Sequence, residues 1–195
     1  MLRQGGTQDQ YLRVEAEFEI GSQLLVVRYR VTPLTHDQIA IFDGLMRVTA
    51  DGRLKWDPFM AYVSRESQNT LSVKRVIPPL PKLKDVEFAH VPLVHIIHDQ
   101  VHRGEIRRPI PVEEYNPYYP PSTKAVYSTV VVQFVALVLE YVIINNNITL
   151  LEVEGLPNLY RVRGTNVDLR QIRLVVKVPE PGIAVKQRRD MFERV

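Results

Sequence analysis

The sequence contains no cysteine. This absence excludes disulfides, thiolate zinc sites, iron–sulfur clusters and cysteine nucleophiles. Only 9 glycines are present, and neither G-x-G-x-x-G nor G-x-x-x-x-G-K occurs, so the common phosphate-binding loops are excluded as well. No G-x-S-x-G elbow presents a serine nucleophile. Glu113 and Glu114 are adjacent, and their carboxylates would point to opposite faces of a strand, so they do not form a catalytic pair.

A strong charge imbalance is also missing. The net charge is +3, from 25 basic and 22 acidic residues, which is too small to indicate a nucleic-acid partner. The excess positive charge lies in residues 151–195, which contain nine basic and six acidic residues. Lys186, Arg188 and Arg189 are its densest part. We interpret them as the solvated face of a basic C-terminal helix, with a polyanion site as the alternative.

Hydrophobic residues make up 45% of the 195 positions, which is typical of a globular chain. We predict a single domain over 1–195, with a flexible polar leader at 1–10. The leader lacks the apolar stretch of a signal peptide, so a cytoplasmic location is favoured, although an exported protein whose leader has been removed would look the same. Val126 to Ile144 is apolar enough to require a membrane check. Glu140 within it favours a buried strand over a membrane span.

Alternating and apolar runs predict strands almost everywhere. Residues 11–20 place apolar side chains on one face and charged side chains on the other, as a half-buried strand does. About eleven short strands with regular turn signals predict an all-β, antiparallel β-sandwich. Residues 115–123 have the composition of a surface loop rich in tyrosine and proline. Residues 185–195 are predicted to form a short C-terminal helix.

One region resembles a known fold family. A strand ending in Val31-Thr32, a polar loop, and a strand with Ile39, Ile41 and Phe42 before Asp43 resemble the B–C region of immunoglobulin-like sandwiches. Ile96 to Val112 is similar to a late loop and strand of bacterial immunoglobulin-like or fibronectin-III-like modules. The resemblance implies a fold only and carries over no functional residue. The chain departs from true immunoglobulin domains because it has no cysteine pair, and its only tryptophan, Trp56, falls in a turn-like stretch.

Three histidines form the sharpest chemical cluster. His95, His98 and His102 lie within eight residues, with Asp99 between them, and imidazoles are common ligands of Zn²⁺, Ni²⁺ and Cu²⁺. On a helix the three would share one face. On a strand His95 would point away from the other two. The surrounding residues read as strand, turn and strand, so polar turn histidines are favoured over a metal site.

A tyrosine cluster is the second candidate. Tyr115, Tyr118 and Tyr119 lie among prolines, and aromatic rings on a stiff loop lose little entropy when a protein or sugar binds. The alternative is that the rings fold over the edge of the sandwich.

These observations lead to a functional expectation. We expect a non-catalytic module for protein interaction, or an accessory module, which binds another protein or a second copy through a sheet edge. The alternatives are a carbohydrate- or small-ligand-binding module and a metal-binding protein. No cofactor is expected, and the chain is not predicted to be an enzyme.

Overall fold

A computed structural model of the chain describes residues 2–48, 54–78, 92–116, 118, 126–165 and 167–188. The described residues form strands and turns, without a helix. The strands are β1 (Leu2–Gln8), β2 (Leu12–Ile20), β3 (Leu24–Pro33), β4 (Ile39–Phe42), β5 (Leu45–Val48), β6 (Leu54–Asp57), β7 (Tyr62–Ser67), β8 (Thr70–Arg75), β9 (Val94–Ile97), β10 (His102–Pro109), β11 (Val112–Glu113), β12 (Tyr127–Val132), β13 (Phe134–Ile143), β14 (Ile148–Val153), β15 (Leu156–Gly164), β16 (Arg170–Lys177) and β17 (Ile183–Arg188). The all-β prediction is therefore confirmed.

Two larger sheets enclose the main core. The four-stranded sheet has the order β1-β2-β3-β10, and the eight-stranded sheet has the order β14-β15-β9-β4-β13-β8-β7, with β16 also paired to β13. Most pairs are antiparallel, but β13 pairs with β8 in parallel. Inward side chains from both sheets, such as Phe18 and Val27 on one side and Leu137 and Leu139 on the other, belong to one buried cluster. The sheets are thus held together by apolar packing.

Strand β13 is covered on both of its faces. Val135, Leu137 and Tyr141 contribute to the main core, while Val138 and Val142 belong to two smaller clusters on the other side. A near-continuous apolar run is what a strand buried on both faces requires. The run predicted as one buried strand over 126–144 is divided at Gln133 into β12 and β13. No helix within the described residues is long and apolar enough to cross a membrane.

The predicted C-terminal helix is wrong. Ile183–Arg188 forms β17, which pairs with β12 in antiparallel and with β11 in parallel orientation. Ile183, Val185 and Gln187 are buried while Lys186 is exposed, so burial follows the two-residue period of a strand. Residues 185–195 contain too few apolar residues at helical intervals to define one face of a helix. Residues 189–195 lie outside the described part of the chain.

Two further segments differ from what their composition suggests. Leu2–Gln8, in the predicted leader, forms β1 and pairs with β2 along its full length. Trp56 lies in β6, which pairs with β5, rather than in a turn.

Glu140 provides a test of the doubly covered strand. Its side chain is 3% exposed, and its carboxylate accepts the Ile77 N–H at 2.6 Å and the Gln171 Nε2–H at 2.8 Å. We expect Glu140→Ala to lower the free energy of unfolding by about 2 kcal/mol, because the partly buried Ile77 N–H loses its acceptor and Gln171 loses a hydrogen bond. Urea unfolding followed by circular dichroism measures the loss. Glu154→Ala on the exposed turn is the matched control, and equal effects of the two substitutions would contradict this role of Glu140.

Candidate functional site

An open groove with a volume of about 1160 Å³ crosses the four-stranded sheet and continues around its β10 edge. All four strands contribute to it, so the groove runs across the strands and not along them. At the β10 edge it meets aromatic and buried polar side chains from the other sheet and from the β6 region. The lining residues that carry the chemistry are Glu15, Glu17, Arg28, Tyr29, Arg30, Asp43, Trp56, Phe59, Arg75, His95, His102, Arg103 and Glu105.

The strand register arranges the floor of the groove in two cross-strand rows. One row is Gly6, Glu15, Arg30 and Arg103, and the next is Gln4, Glu17, Arg28 and Glu105. Residues of one parity share a face of a strand, which is why these polar side chains point outward while Val14, Ala16 and Tyr29 point inward. The alternation in Leu12 to Ile20 therefore produces both the core and the groove floor.

The second row is largely neutralised by internal ion pairs. Arg28 binds Glu19 and Glu105, each at 2.9 Å, and Arg107 pairs with the other oxygen of Glu105. On β2, Glu17 accepts a hydrogen bond from Gln4 Nε2 at 2.8 Å. These exposed pairs add little stability individually, but they fix the positions of the side chains along the floor.

A buried polar cluster centred on Arg75 lies where the groove turns around β10. Arg75 is 1% exposed. Its Nη1 donates to the Tyr29 hydroxyl at 2.5 Å, and its Nη2 donates to the carbonyls of Glu105, at 2.7 Å, and of Pro58. The guanidinium also forms an ion pair with Asp43, whose Oδ1 accepts the Tyr29 hydroxyl at 2.8 Å. A buried charge requires such partners, because leaving it unpaired in an apolar interior costs several kcal/mol.

Gly104 gives Tyr29 the space to reach this cluster. The two residues are opposite each other on β10 and β3. A Cβ atom at position 104 would lie 2.2 Å from Cζ of the Tyr29 ring, which is closer than any real contact. Gly44 likewise leaves space for Trp56, because a Cβ atom at position 44 would lie 1.9 Å from the indole nitrogen. Its backbone φ of +83° also favours glycine.

Two histidines complete the cluster. The rings of His95 and His102 have centroids 5.0 Å apart, and the distances from their Nε2 atoms to Asp43 Oδ2 are 3.8 Å and 2.7 Å. Burial, which has the largest effect, and the Arg75 charge together lower the pKa of both imidazoles to about 4. For His95 the neighbouring His102 has the second-largest effect. Asp43 favours the charged form of His102, but this carboxylate is already shared with Arg75 and Tyr29. Both rings are therefore neutral at pH 7.

The structure brings together two of the three histidines considered as metal ligands. His98 lies apart from the other two, 44% exposed, with its Nδ1 3.0 Å from Asp99 Oδ2. Within the described residues, no three His, Asp or Glu side chains are arranged to hold a metal ion. The Asp43 carboxylate beside His95 and His102 already has the Arg75 guanidinium as its cation. The arrangement can orient two neutral imidazoles toward the groove.

The described members of the tyrosine cluster and of the basic tail are not among the residues that line the groove. Tyr115 is partly buried, and its ring stacks on that of Tyr62 with centroids 6.3 Å apart. Tyr118 is also partly buried. Lys186 is exposed on β17, and Arg188 ends the same strand. Tyr119 and Arg189 lie outside the described residues.

Sequence reasoning missed the centre of the site, although one signal was present. Leu71, Val73 and Arg75 share a parity in an apolar run, so Arg75 occupies a position that faces the core. A charged residue at such a position predicts a buried partner. No comparable local signal singled out Asp43, Tyr29 or Trp56, because their proximity depends on strand pairing between distant segments.

Comparison with known proteins assigns the chain to no family. No protein-family profile, curated protein or solved structure matches it. Because a fold alone does not specify a function, the role of the groove depends on its own residues.

The two partly buried histidines, His95 and His102, should make the protein sensitive to mild acid. The unfolded chain takes up protons on these residues below their ordinary pKa of 6.5, whereas the folded chain resists until about pH 4. The unfolded state therefore binds more protons in this window, and stability decreases as the pH falls through it. Between pH 7 and 5 we expect the two histidines together to cost about 2 kcal/mol, after discounting for their remaining solvent contact.

This pH dependence can be measured by urea unfolding of the protein at a series of pH values. The double variant His95→Gln/His102→Gln should lose much less stability than the wild type between pH 7 and 5. His36→Gln is the control, because that side chain is 98% exposed. Equal pH dependence in the wild type and the double variant would rule out this explanation.

Proposed function

We propose that the chain is a non-catalytic β-sandwich binding module whose ligand is an oligosaccharide held in the groove. The observation that carries this proposal is the groove itself, which extends over all four strands of one sheet with a volume of about 1160 Å³. Pockets for single small molecules usually have volumes of about 300–1,000 Å³. A larger and open groove suits a linear oligomer better than a compact metabolite.

The lining of the groove supports a sugar ligand. Glu15, Glu17 and Arg30 on the floor provide hydrogen-bond acceptors and donors for hydroxyl groups. Trp56 and Phe59 lie at the β10 end, and Phe59 is 39% exposed. Aromatic rings offer a broad apolar surface against which the C–H face of a sugar ring can pack. Polar groups on the floor and aromatic residues at one end would fix both the position and the direction of the chain.

A β-strand ligand is less well supported at this edge. Strand addition requires unpaired backbone groups along the edge strand. On β10 the carbonyl of Glu105 accepts a hydrogen bond from Arg75, and the N–H of Arg107 donates to the carbonyl of Phe59 at 3.1 Å. Recognition through side chains is therefore favoured over recognition through the backbone.

The chemistry of the lining supports binding without catalysis. Both Asp43 oxygens and the Tyr29 hydroxyl are engaged within the buried cluster. Glu15 and Glu17 are two residues apart on one face of β2, which is a spacing compatible with an acid and base for glycoside cleavage. However, a catalytic pair of this kind works in a cleft that shields it from water, whereas Glu15 is exposed and Glu17 is only partly covered.

The immunoglobulin-like or fibronectin-III-like character of the sandwich is part of this proposal. Strands β3 and β4 lie in opposite sheets, as the B and C strands of an immunoglobulin sandwich do. The parallel pair of β13 with β8 is a departure from that pattern.

Self-association through a sheet edge is a second candidate function. In the described part of the chain, β12 is the last strand of the sheet β11-β17-β12. Its sequence, YSTVVV, has no charged residue, and Val131 is 54% exposed. An uncharged, β-branched edge strand is a template for pairing with another strand, here the β12 of a second copy.

The oligosaccharide proposal can be tested by filling the groove at its far end. A Cβ atom at Gly6 would meet neighbours only at 3.6 Å or beyond, so Gly6→Tyr should fold and project a ring over the floor. We expect this variant to bind oligosaccharides at least about tenfold more weakly, a loss of about 1.4 kcal/mol. Binding can be followed by calorimetry and by fluorescence of Trp56, the only tryptophan.

Gln8→Tyr is the matched control for this experiment. Gln8 lies on the same strand and face but outside the groove lining, so affinity should not change. The proposal fails if a panel of neutral and acidic oligosaccharides of four to eight sugars gives no saturable binding, or if both tyrosine variants weaken it equally.

The edge-pairing candidate predicts a concentration-dependent dimer. Val131→Lys places a charge on the edge strand and should abolish the dimer, because charged residues disfavour edge-to-edge pairing. Val175→Lys is the control, since Val175 is similarly exposed, at 46%, but lies on β16. Light scattering after size-exclusion chromatography gives the mass. A monomer at all concentrations in the wild type would remove this candidate.

A further inference from the structure

Two arginines face each other across the groove floor. Arg103 on β10 is the cross-strand partner of Arg30 on β3, and both side chains are exposed. The hydrogen bond from Ile110 N–H to the Gln23 carbonyl fixes the alternation of this strand pair, and it makes Arg30 and Arg103 a non-hydrogen-bonded pair. At such pairs the Cα atoms are only about 4.5 Å apart and the side chains are closest. Like charges placed directly opposite each other are destabilising.

The surrounding carboxylates do not neutralise this pair. The two oxygens of Glu105 are occupied by Arg28 and Arg107. Glu15 is the cross-strand neighbour of Arg30 on β2, but it forms no ion pair with it. Within the described residues neither Arg30 nor Arg103 makes a side-chain hydrogen bond or an ion pair. Arg28, two residues from Arg30 on the same face, is by contrast held by two carboxylates.

The charges on the floor are therefore separated across its width. Glu15 and Glu17 form an acidic strip on β2, while the unneutralised guanidinium groups lie on β3 and β10. A guanidinium offers a planar fork of donors that matches the two oxygens of a carboxylate. An anionic group would be repelled by the β2 strip and attracted to the β3–β10 side, which is the side of Trp56 and Phe59.

We infer that the ligand of the groove is an acidic oligosaccharide, one of whose carboxylates is bound by Arg30 and Arg103. This inference rests on the function proposed above and deepens it, because it adds the charge and the orientation of the ligand. The acidic group lies at the β10 end of the groove, and hydroxyl groups lie over Glu15 and Glu17. Recognition depends on side-chain charge and should weaken as the salt concentration rises.

The test compares one saccharide in two charge states. A hexamer of galacturonic acid and the same hexamer with its carboxylates methyl-esterified have the same backbone, but only the first is anionic. Affinities are measured by calorimetry and Trp56 fluorescence for the wild type, Arg30→Gln, Arg103→Gln and Arg13→Gln. Arg13 lies on the same face of the sheet outside the groove lining and is the matched control.

We expect the wild type to bind the acid at least tenfold more tightly than the ester. Arg30→Gln and Arg103→Gln should each weaken binding of the acid about tenfold and change binding of the ester less than twofold, and Arg13→Gln should change neither. Equal binding of acid and ester by the wild type would overturn this inference while leaving the oligosaccharide proposal intact. Equal loss of both ligands in the arginine variants would also overturn it. Failure of every oligosaccharide, neutral or acidic, to bind would instead defeat the proposed function.

Discussion

The buried guanidinium of Arg75 is the interaction on which the rest of the site depends. It extends from β8 of the eight-stranded sheet and contacts the Tyr29 side chain and the Glu105 carbonyl of the four-stranded sheet. Apolar packing holds two sheets together without fixing their lateral position strongly, because it is non-directional. The hydrogen bonds of Arg75 have defined directions, and two of them run from the eight-stranded sheet to partners in the four-stranded sheet. In a chain without disulfides, they connect the sheets at a defined point.

This connection also determines what the groove can bind. The Glu105 carbonyl already accepts a hydrogen bond from Arg75, and the Arg107 N–H already donates to the Phe59 carbonyl. Part of the β10 edge is therefore closed to an added strand. The face of the sheet remains open, and it presents side chains whose positions follow from the register of β1, β2, β3 and β10. Under the proposed function, a module built in this way would recognise the functional groups of its ligand and not an extended peptide backbone. Its selectivity then depends on which charges on the floor are already paired.

Local sequence pattern was sufficient to predict most of the strands, but not β1, β17 or the site. The alternation in β2 and the apolar run of β13 follow directly from one-sided and two-sided burial, so both were predictable. The C-terminal segment was misassigned because its strand character comes from pairing with β12 and β11, which the segment alone does not contain. The histidine cluster shows the same limit. If one strand had carried both residues, their spacing would have pointed His95 and His102 to opposite faces. They lie instead on β9 and β10, in different sheets, and the turn between these strands brings their rings together.

The neutrality of these two imidazoles follows from the same central cation. Arg75 already provides the charge that balances Asp43, so a second or third positive charge would have no carboxylate of its own. Burial and the guanidinium together therefore keep His95 and His102 uncharged at pH 7. Neutral rings can each donate and accept a hydrogen bond, whereas protonated rings could only donate. The cluster thus presents polar groups without net charge at the inner end of the groove. The positive charge on the open floor that has no ion-pair partner belongs to Arg30 and Arg103, where a ligand can reach it.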